Sequence, residues 1–342
     1  MAIQNAYKRI KTSLLLFSAL FLFTTCIKDD LDEDCRIQIH FDYSYNMTSA
    51  NRFGEQVDQV SLYVFDENDT FIQAFTERGD HVSKNDFAMT IPLYNGKYQF
   101  VVFAQNNKIE GDKANFKFPT LKAGQSRLDD LTATLKRAQS TFDGQLNNLL
   151  VGYHNTIHID YVTNSSVTIQ TKKITNTVRV ILVDRGVEEV NQSTYSLAIS
   201  DEEGSGIVKY DYTVVPDGFL NYLPYWAGMG TEENTQNQLQ SGDNLQRTVV
   251  NEFSLSQIDS SHKMRLVIKK QSTGGVIMDA NFFALLRALF EVDSQADPNW
   301  TFQEYIDRED LLIITLYTDT KTWLDSTLII NGWVINNIQV EF

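Results

Sequence analysis

Ile37, Ile39, Phe41, Tyr43 and Tyr45 occupy every second position of Arg36–Tyr45 (RIQIHFDYSY). That period of two commits the segment to a strand with one buried face, because successive side chains of a strand point to opposite sides. Similar runs follow at Val57–Phe65, Phe71–Thr76, Phe87–Leu93 and Tyr98–Ala104, separated by Asp66-Glu67-Asn68-Asp69, Arg78-Gly79-Asp80 and Asn95-Gly96. Asn-Gly favours the two-residue turns of hairpins, so Asn95-Gly96 predicts a hairpin between Phe87–Leu93 and Tyr98–Ala104. The alternation restarts at Val167–Gln170 and Ile174–Asp184. It continues through Tyr195–Ile199, Gly206–Tyr212, Lys263–Lys269, Leu311–Thr318, Ser326–Ile330 and Trp333–Phe342, with Asn331-Gly332 marking a closing hairpin. Short strands at such regular spacing indicate sandwiches or barrels.

Two helices are expected within this all-β pattern. Arg127–Arg137 (RLDDLTATLKR) places Leu128, Leu131 and Leu135 on one stripe, with acids early and bases late as the macrodipole favours. Ala280–Val292 (ANFFALLRALFEV) is more apolar and is expected to pack against a sheet. No βαβ rhythm appears. With 342 residues and about 100–200 per domain, two domains follow. We set them at 36–170 and 171–342, with the polar Gly228–Gly242 as a long loop in the second.

The start of the chain has a different logic. Lys8, Arg9 and Lys11 precede the apolar run Ser13–Phe23, whose 11 residues span about 16 Å as a helix, too short for a ~30 Å hydrocarbon core. It reads as the apolar part of an export signal ending at residue 25. Thr24-Thr25-Cys26 resembles a bacterial lipobox, in which the cysteine carries a diacylglycerol and an N-acyl chain; an ordinary signal with a bystander cysteine is the plain alternative. Residues 26–35 form an acidic tether. Within it, Lys28, Asp29 and Asp30 resemble the signal that sends some lipoproteins to the outer face of the outer membrane, and a solvated run is the alternative. Cys35 sits among Asp32, Glu33 and Asp34, which raise a thiol pKa and lower its reactivity, so a structural or incidental role is expected.

Removing the cations of residues 1–25 takes the net charge from −15 to −18, a surface that repels phosphate backbones and argues against nucleic acid. It leaves no polybasic means of holding an anionic membrane, so attachment falls to the acyl chains, each buried CH₂ contributing about 0.8 kcal/mol.

The chemistry-bearing residues are sparse. His154 and His158 have an i, i+4 spacing, with Asp160 near, but Thr156–Val162 alternates like a strand and lacks an HExxH context, so no metal site is expected there. Asp201-Glu202-Glu203-Gly204 lacks the ligand spacing of a calcium loop and reads as a turn. No nucleophile elbow, phosphate loop or dinucleotide fingerprint occurs, and no enzyme is expected. Tyr222, Tyr225 and Trp226 could form a sugar-stacking or protein-anchoring platform, or pack at a strand end.

Several motifs resemble the FimB-like fimbrial anchor family. Cys26-Ile27-Lys28-Asp29-Asp30-Leu31 through Cys35 is similar to its start. Lys173–Val180 (KITNTVRV) resembles a "KNTN-IRV" strand, departing at Lys173 and Ile174. Tyr210-Asp211-Tyr212 with Tyr222-Leu223-Pro224-Tyr225 is similar to "YDY…Y-PY", and Phe302–Arg308 (FQEYIDR) and Ile329–Val334 (IINGWV) to "FQEYLDR" and "INGW". The resemblance implies two tandem transthyretin-like or immunoglobulin-like Greek-key β-sandwiches with one or two short helices. It implies an outer-membrane lipoprotein that anchors a fimbrial shaft, influences its length and joins shaft subunits by strand exchange, with the shaft subunit as protein partner. The alternative is a surface glycan-binding lipoprotein of a nutrient-uptake system.

Overall fold

The computed structural model describes residues 36–84, 86–106, 115–160, 166–184, 191–230, 248–293, 295–318, 328–330 and 333–335. The export signal, Cys26, Lys28, Asp29, Asp30, the tether, Cys35, most of the Gly228–Gly242 loop and Asn331-Gly332 lie outside these residues.

In chain order the elements are β1 (Arg36–Asp42), α1 (Phe53–Gln56), β2 (Gln59–Asp66), β3 (Phe71–Arg78), β4 (Ala88–Pro92), β5 (Gly96–Gln105), β6 (Phe116–Lys117), β7 (Thr132–Leu135), β8 (Thr141–Phe142), β9 (Leu149–Ile159) and β10 (Ser166–Lys173). They continue as β11 (Asn176–Asp184), β12 (Tyr195–Asp201), β13 (Ile207–Lys209), β14 (Val214–Val215), β15 (Leu220–Tyr222), β16 (Trp226–Met229), β17 (Thr248–Leu255), β18 (Met264–Lys270) and β19 (Val276–Asn281). The last are α2 (Phe282–Val292), α3 (Phe302–Arg308), β20 (Leu311–Thr318), β21 (Leu328–Ile330) and β22 (Trp333–Ile335). The fold is all-β with few, short helices, as expected. Among the described residues no helix is long and apolar enough to cross a membrane.

The first sandwich comes from one folded sheet ordered β3-β2-β5-β9-β10-β1-β4. Strand β10 turns its corner: Ser166–Gln170 pair in parallel with β1, whereas Thr171–Lys173 pair antiparallel with β9. The alternating Ile37, Ile39 and Phe41 of β1 therefore face Val60, Leu62, Val64, Phe100 and Val102 across one core. The hairpin expected at Asn95-Gly96 does not form. Strand β4 pairs with β1, while β5 pairs with β2 and β9, so the turn carries the chain from one layer to the other. The reason lies in β5 itself, whose Phe100 to Ala104 are all buried. A strand apolar on both faces needs cover on both, which an edge hairpin cannot supply.

That second cover is a larger core. Val101 and Phe103 of β5 and Leu149 and Val151 of β9 join Val178, Val180, Leu266, Phe282, Leu286 and Ile314. One layer of the first sandwich is thus a shared wall between two hydrophobic cores. Three further sheets build the second core, ordered β16-β17-β11-β20-β21-β22, β19-β18-β12-β15-β8 and β14-β13-β7-β6. Strand β10 gives way to β11 close to residue 171, and pairing crosses that line, since β7 pairs with β13 and β8 with β15.

The helix expected over Arg127–Arg137 is a 3₁₀ turn at Leu128–Asp130 followed by strand β7. Leu131, Ala133 and Leu135 are buried and also fit a period of two, and Thr132 and Thr134 between them are β-branched. The partner strand β13, over 70 residues further on, decides between the two periods. The second expected helix forms as α2, capped by Asn281, whose side chain accepts the Ala284 N–H at 3.2 Å. Phe282, Phe283, Leu285, Leu286 and Leu289 bury into the second core.

Candidate functional site

Three of the motifs that carry the family resemblance, Lys173–Val180, Tyr210-Asp211-Tyr212 and Phe302–Arg308, meet where β10 passes into β11. Lys172 and Lys173 end β10, and both ammonium groups turn into the α3 region: Lys172 Nζ lies 2.5 Å from Asp307 Oδ2, and Lys173 pairs with Asp310. Asp307 is buried and also accepts from Gln257 Nε2 at 3.0 Å and Gln303 Nε2 at 2.9 Å. Lys172 sits 5.2 Å from the Tyr212 ring centre, a cation–π contact. Asn176 begins β11 and donates from Nδ2 to the carbonyls of Ile306 (3.2 Å) and Glu309 (2.9 Å), closing the C-terminal end of α3.

The first sandwich reaches the same place through the segment after β1. Tyr43 donates to Asp310 Oδ1 at 3.4 Å, and Arg308 donates from Nη1 to the Asn46 carbonyl at 3.2 Å. The Arg308 guanidinium lies between the rings of Tyr45 (4.1 Å) and Trp300 (4.6 Å). Burial, then the Asp310 charge, raises the Tyr43 pKa; burial pushes Tyr45 and Tyr212 up to about 12. These phenols are therefore neutral donors and ring platforms. The cluster holds no nucleophile beside a base. Chemically it can do one thing well, which is to tie Tyr43–Asn46, the β10–β11 passage, Tyr212 and α3 into one charged, hydrogen-bonded clamp.

The three aromatic residues singled out in sequence part company. Tyr222 is fully buried, its hydroxyl 2.8 Å from Ser205 Oγ and 2.6 Å from Ser256 Oγ, and burial pushes its pKa up to about 12. Tyr225 donates to Glu252 Oε2 at 2.6 Å, and Glu252 in turn accepts from Arg179 Nε at 2.8 Å. Trp226 is 43% exposed and folds its indole over Gly228, where a Cβ would meet Cζ2 at 2.6 Å. Only Tyr225 and Trp226 reach solvent, beside the edge strand β16, so an exposed three-ring platform does not exist. A separate pocket of about 360 Å³ opens on the outer face of the β12–β15–β18 sheet, lined by Ser196, Ser200, Phe219, Asn221, Val267 and Lys269 among others. Its lining includes no carboxylate.

His154 and His158 lie along β9, where four residues of strand separate them by about 13 Å. His154 Nδ1 sits 2.7 Å from the Asn155 carbonyl. Asp201 ends β12 and begins the expected turn, with Oδ1 accepting the N–H groups of Glu203 and Gly204 at 3.1 Å each. Sequence reading missed the clamp as a structure. Its lysines, acids and aromatics lie up to 267 residues apart, and the only local signal was the clustering of motif residues without a catalytic pattern.

A family model for the fimbrillin-A associated anchor proteins Mfa1 and Mfa2 matches residues 31–339. No curated protein matches the chain significantly. A solved candidate polysaccharide-binding protein from Bacteroides thetaiotaomicron is similar at 26% identity, over 89% of this chain and 99% of its own, with a TM-score of 0.74. A candidate adhesin from Bacteroides ovatus is 19% identical over 90% of this chain and 96% of its own, with a TM-score of 0.74. The fimbrial anchor protein Mfa2 from Porphyromonas gingivalis is 15% identical over 89% and 99%, with a TM-score of 0.63. The last two share the fold. With a family match that spans both cores and every element of the clamp, the chain belongs to the Mfa2 family of fimbrillin-A associated anchor proteins.

Proposed function

We propose that this chain is an outer-membrane lipoprotein that holds a fimbrial shaft to the cell surface and influences its length. Cys26 carries the diacylglycerol and N-acyl chains, Lys28, Asp29 and Asp30 direct it to the outer face, and residues 26–35 serve as the tether. The observation that carries the reading is the family match, which begins at residue 31, just past Cys26, and runs to 339. Two or three acyl chains suit a durable hold where one would not.

An anchor must also pass load from shaft to lipid, and the clamp supports that role. Lys172, Lys173 and Arg308 tie β10 and the segment after β1 to α3, so load applied to the second core would bear on them. The shaft subunit docks by strand exchange, and β16 is our choice of acceptor edge. Among the described residues nothing pairs with its outer side, and Trp226 stands beside it as an apolar anchor. The glycan-binding alternative loses support from the burial of Tyr222.

Outer membranes extracted in mild detergent, with this chain captured by antibody, test the reading. A fimbrial shaft subunit should co-purify, in equal or greater molar amount. Recovery of the chain without any fimbrial subunit, from cells bearing filaments, would overturn it.

A further inference from the structure

One cluster lies apart from both the clamp and the β16 edge. Asp201, fully buried at the end of β12, Glu203 in the turn after it and His262 in the loop before β18 bring one ligand atom each to within 4.8 Å of one another. His262 Nδ1 stands 3.1 Å from Asp201 Oδ2 and 3.9 Å from Glu203 Oε2. A tetrahedral ion with bonds of about 2.0–2.1 Å has ligand–ligand edges of about 3.4 Å, and these two separations straddle that value.

The charge balance points the same way. A carboxylate out of water needs a counter-charge worth several kcal/mol. Yet among the described residues neither Asp201 nor Glu203 pairs with a lysine or arginine; their one basic partner is a histidine, itself only 8% exposed. Lys263, next to it, pairs instead with Glu202 at 3.8 Å. The carboxylates are also held as ligands are held: Asp201 Oδ1 takes two backbone N–H groups, both Asp201 oxygens face His262 Nδ1 (Oδ1 at 3.2 Å, Oδ2 at 3.1 Å), and Glu203 Oε2 accepts the Lys263 N–H at 2.9 Å. Gly204, with φ of +81°, lets the turn close, since a Cβ there would sit 2.1 Å from the Gly218 carbonyl.

We propose that Asp201 Oδ2, Glu203 Oε2 and His262 Nδ1 bind a divalent cation of the zinc class, with water in the fourth position on the side where Glu203 meets solvent. An imidazole with two carboxylates suits zinc, whereas calcium and magnesium prefer oxygen alone. The ion would join the end of β12 to the loop before β18, two segments about 60 residues apart, and so brace the second core.

The test is calorimetric titration of untagged, chelator-treated protein with zinc chloride, and separately with calcium chloride, alongside Tm. One equivalent of zinc should bind saturably and raise Tm. His262→Gln and Glu203→Gln should each weaken binding by ~10-fold or more, whereas His81→Gln, a surface control, should leave it unchanged. Glu203 is 38% exposed, so Glu203→Gln decides the matter if circular dichroism shows His262→Gln unfolded. Absence of saturable zinc binding, undiminished binding in Glu203→Gln, or a preference for calcium over zinc would each overturn the assignment.

Discussion

Replacing Asp307 by alanine probes the clamp at its most buried charge. Its side chain is 5% exposed and faces Lys172, itself 15% exposed, together with the side-chain amides of Gln257 and Gln303. Removing one partner of a buried pair costs about 3–5 kcal/mol, because the other charge stays behind without compensation. Lys172 retains some access to water and the Tyr212 ring, which places the expected loss near the lower end, about 3 kcal/mol. Equilibrium urea unfolding of a soluble form lacking the first 35 residues would measure it, as a lower midpoint at unchanged slope. Asp307→Ala with Lys172→Met closes a double-mutant cycle. The double variant should be less destabilised than the sum of the singles by about 1 kcal/mol or more, since the methionine removes the stranded charge. A single-variant loss below about 0.5 kcal/mol, or strict additivity in the cycle, would show that the Lys172–Asp307 ion pair is incidental to the hold between the two cores.

Tyr222→Phe keeps the ring and leaves Ser205 and Ser256 short of a partner in the core, so thermal unfolding should show a loss of about 1–2 kcal/mol; no change would mean that the hydroxyl network is dispensable. Thr301→Ala removes the N-cap of α3, whose hydroxyl exchanges hydrogen bonds with Glu304, and should cost about 1 kcal/mol at neutral pH. The N–H and hydroxyl of Thr301 hold the Glu304 carboxyl below its usual pKa. Its charged form therefore contributes stability above the unfolded value, and that part is lost as pH falls through the folded one. The gap between wild type and Thr301→Ala should narrow in acid, and a gap independent of pH would exclude the capping carboxylate as its source.

What the sequence made legible is what short-range periodicity encodes. Strand β1 was readable residue by residue, and so was α2, because Phe282 to Leu289 place apolar groups on one side at helical spacing. What it hid was settled at long range. The leucines of Arg127–Arg137 satisfy both periods, and only β13 resolves them. Asn95-Gly96 has the chemistry of a tight turn, but the doubly apolar β5 belongs between β2 and β9. The unbroken run Phe100–Ala104 did hold that signal, since a strand greasy on both faces is an interior one. The fate of Tyr222 was likewise written two residues earlier: Leu220 and Tyr222 share the inward face of β15. The clamp and the Asp201–Glu203–His262 cluster were invisible to spacing arguments, because their members meet only after the chain has crossed between sheets.

Cells carrying Cys26→Ser in place of the native residue test lipid anchoring of the filament most directly. Such cells keep the folded body and lose the residue that would be acylated. Quantifying fimbriae by immunoblot in washed cells and in the culture medium should show filaments shifted into the medium, with the variant itself released from the outer membrane. Filaments that stay on the cells as firmly as in wild type, with the Cys26→Ser protein still in the outer membrane, would contradict the account.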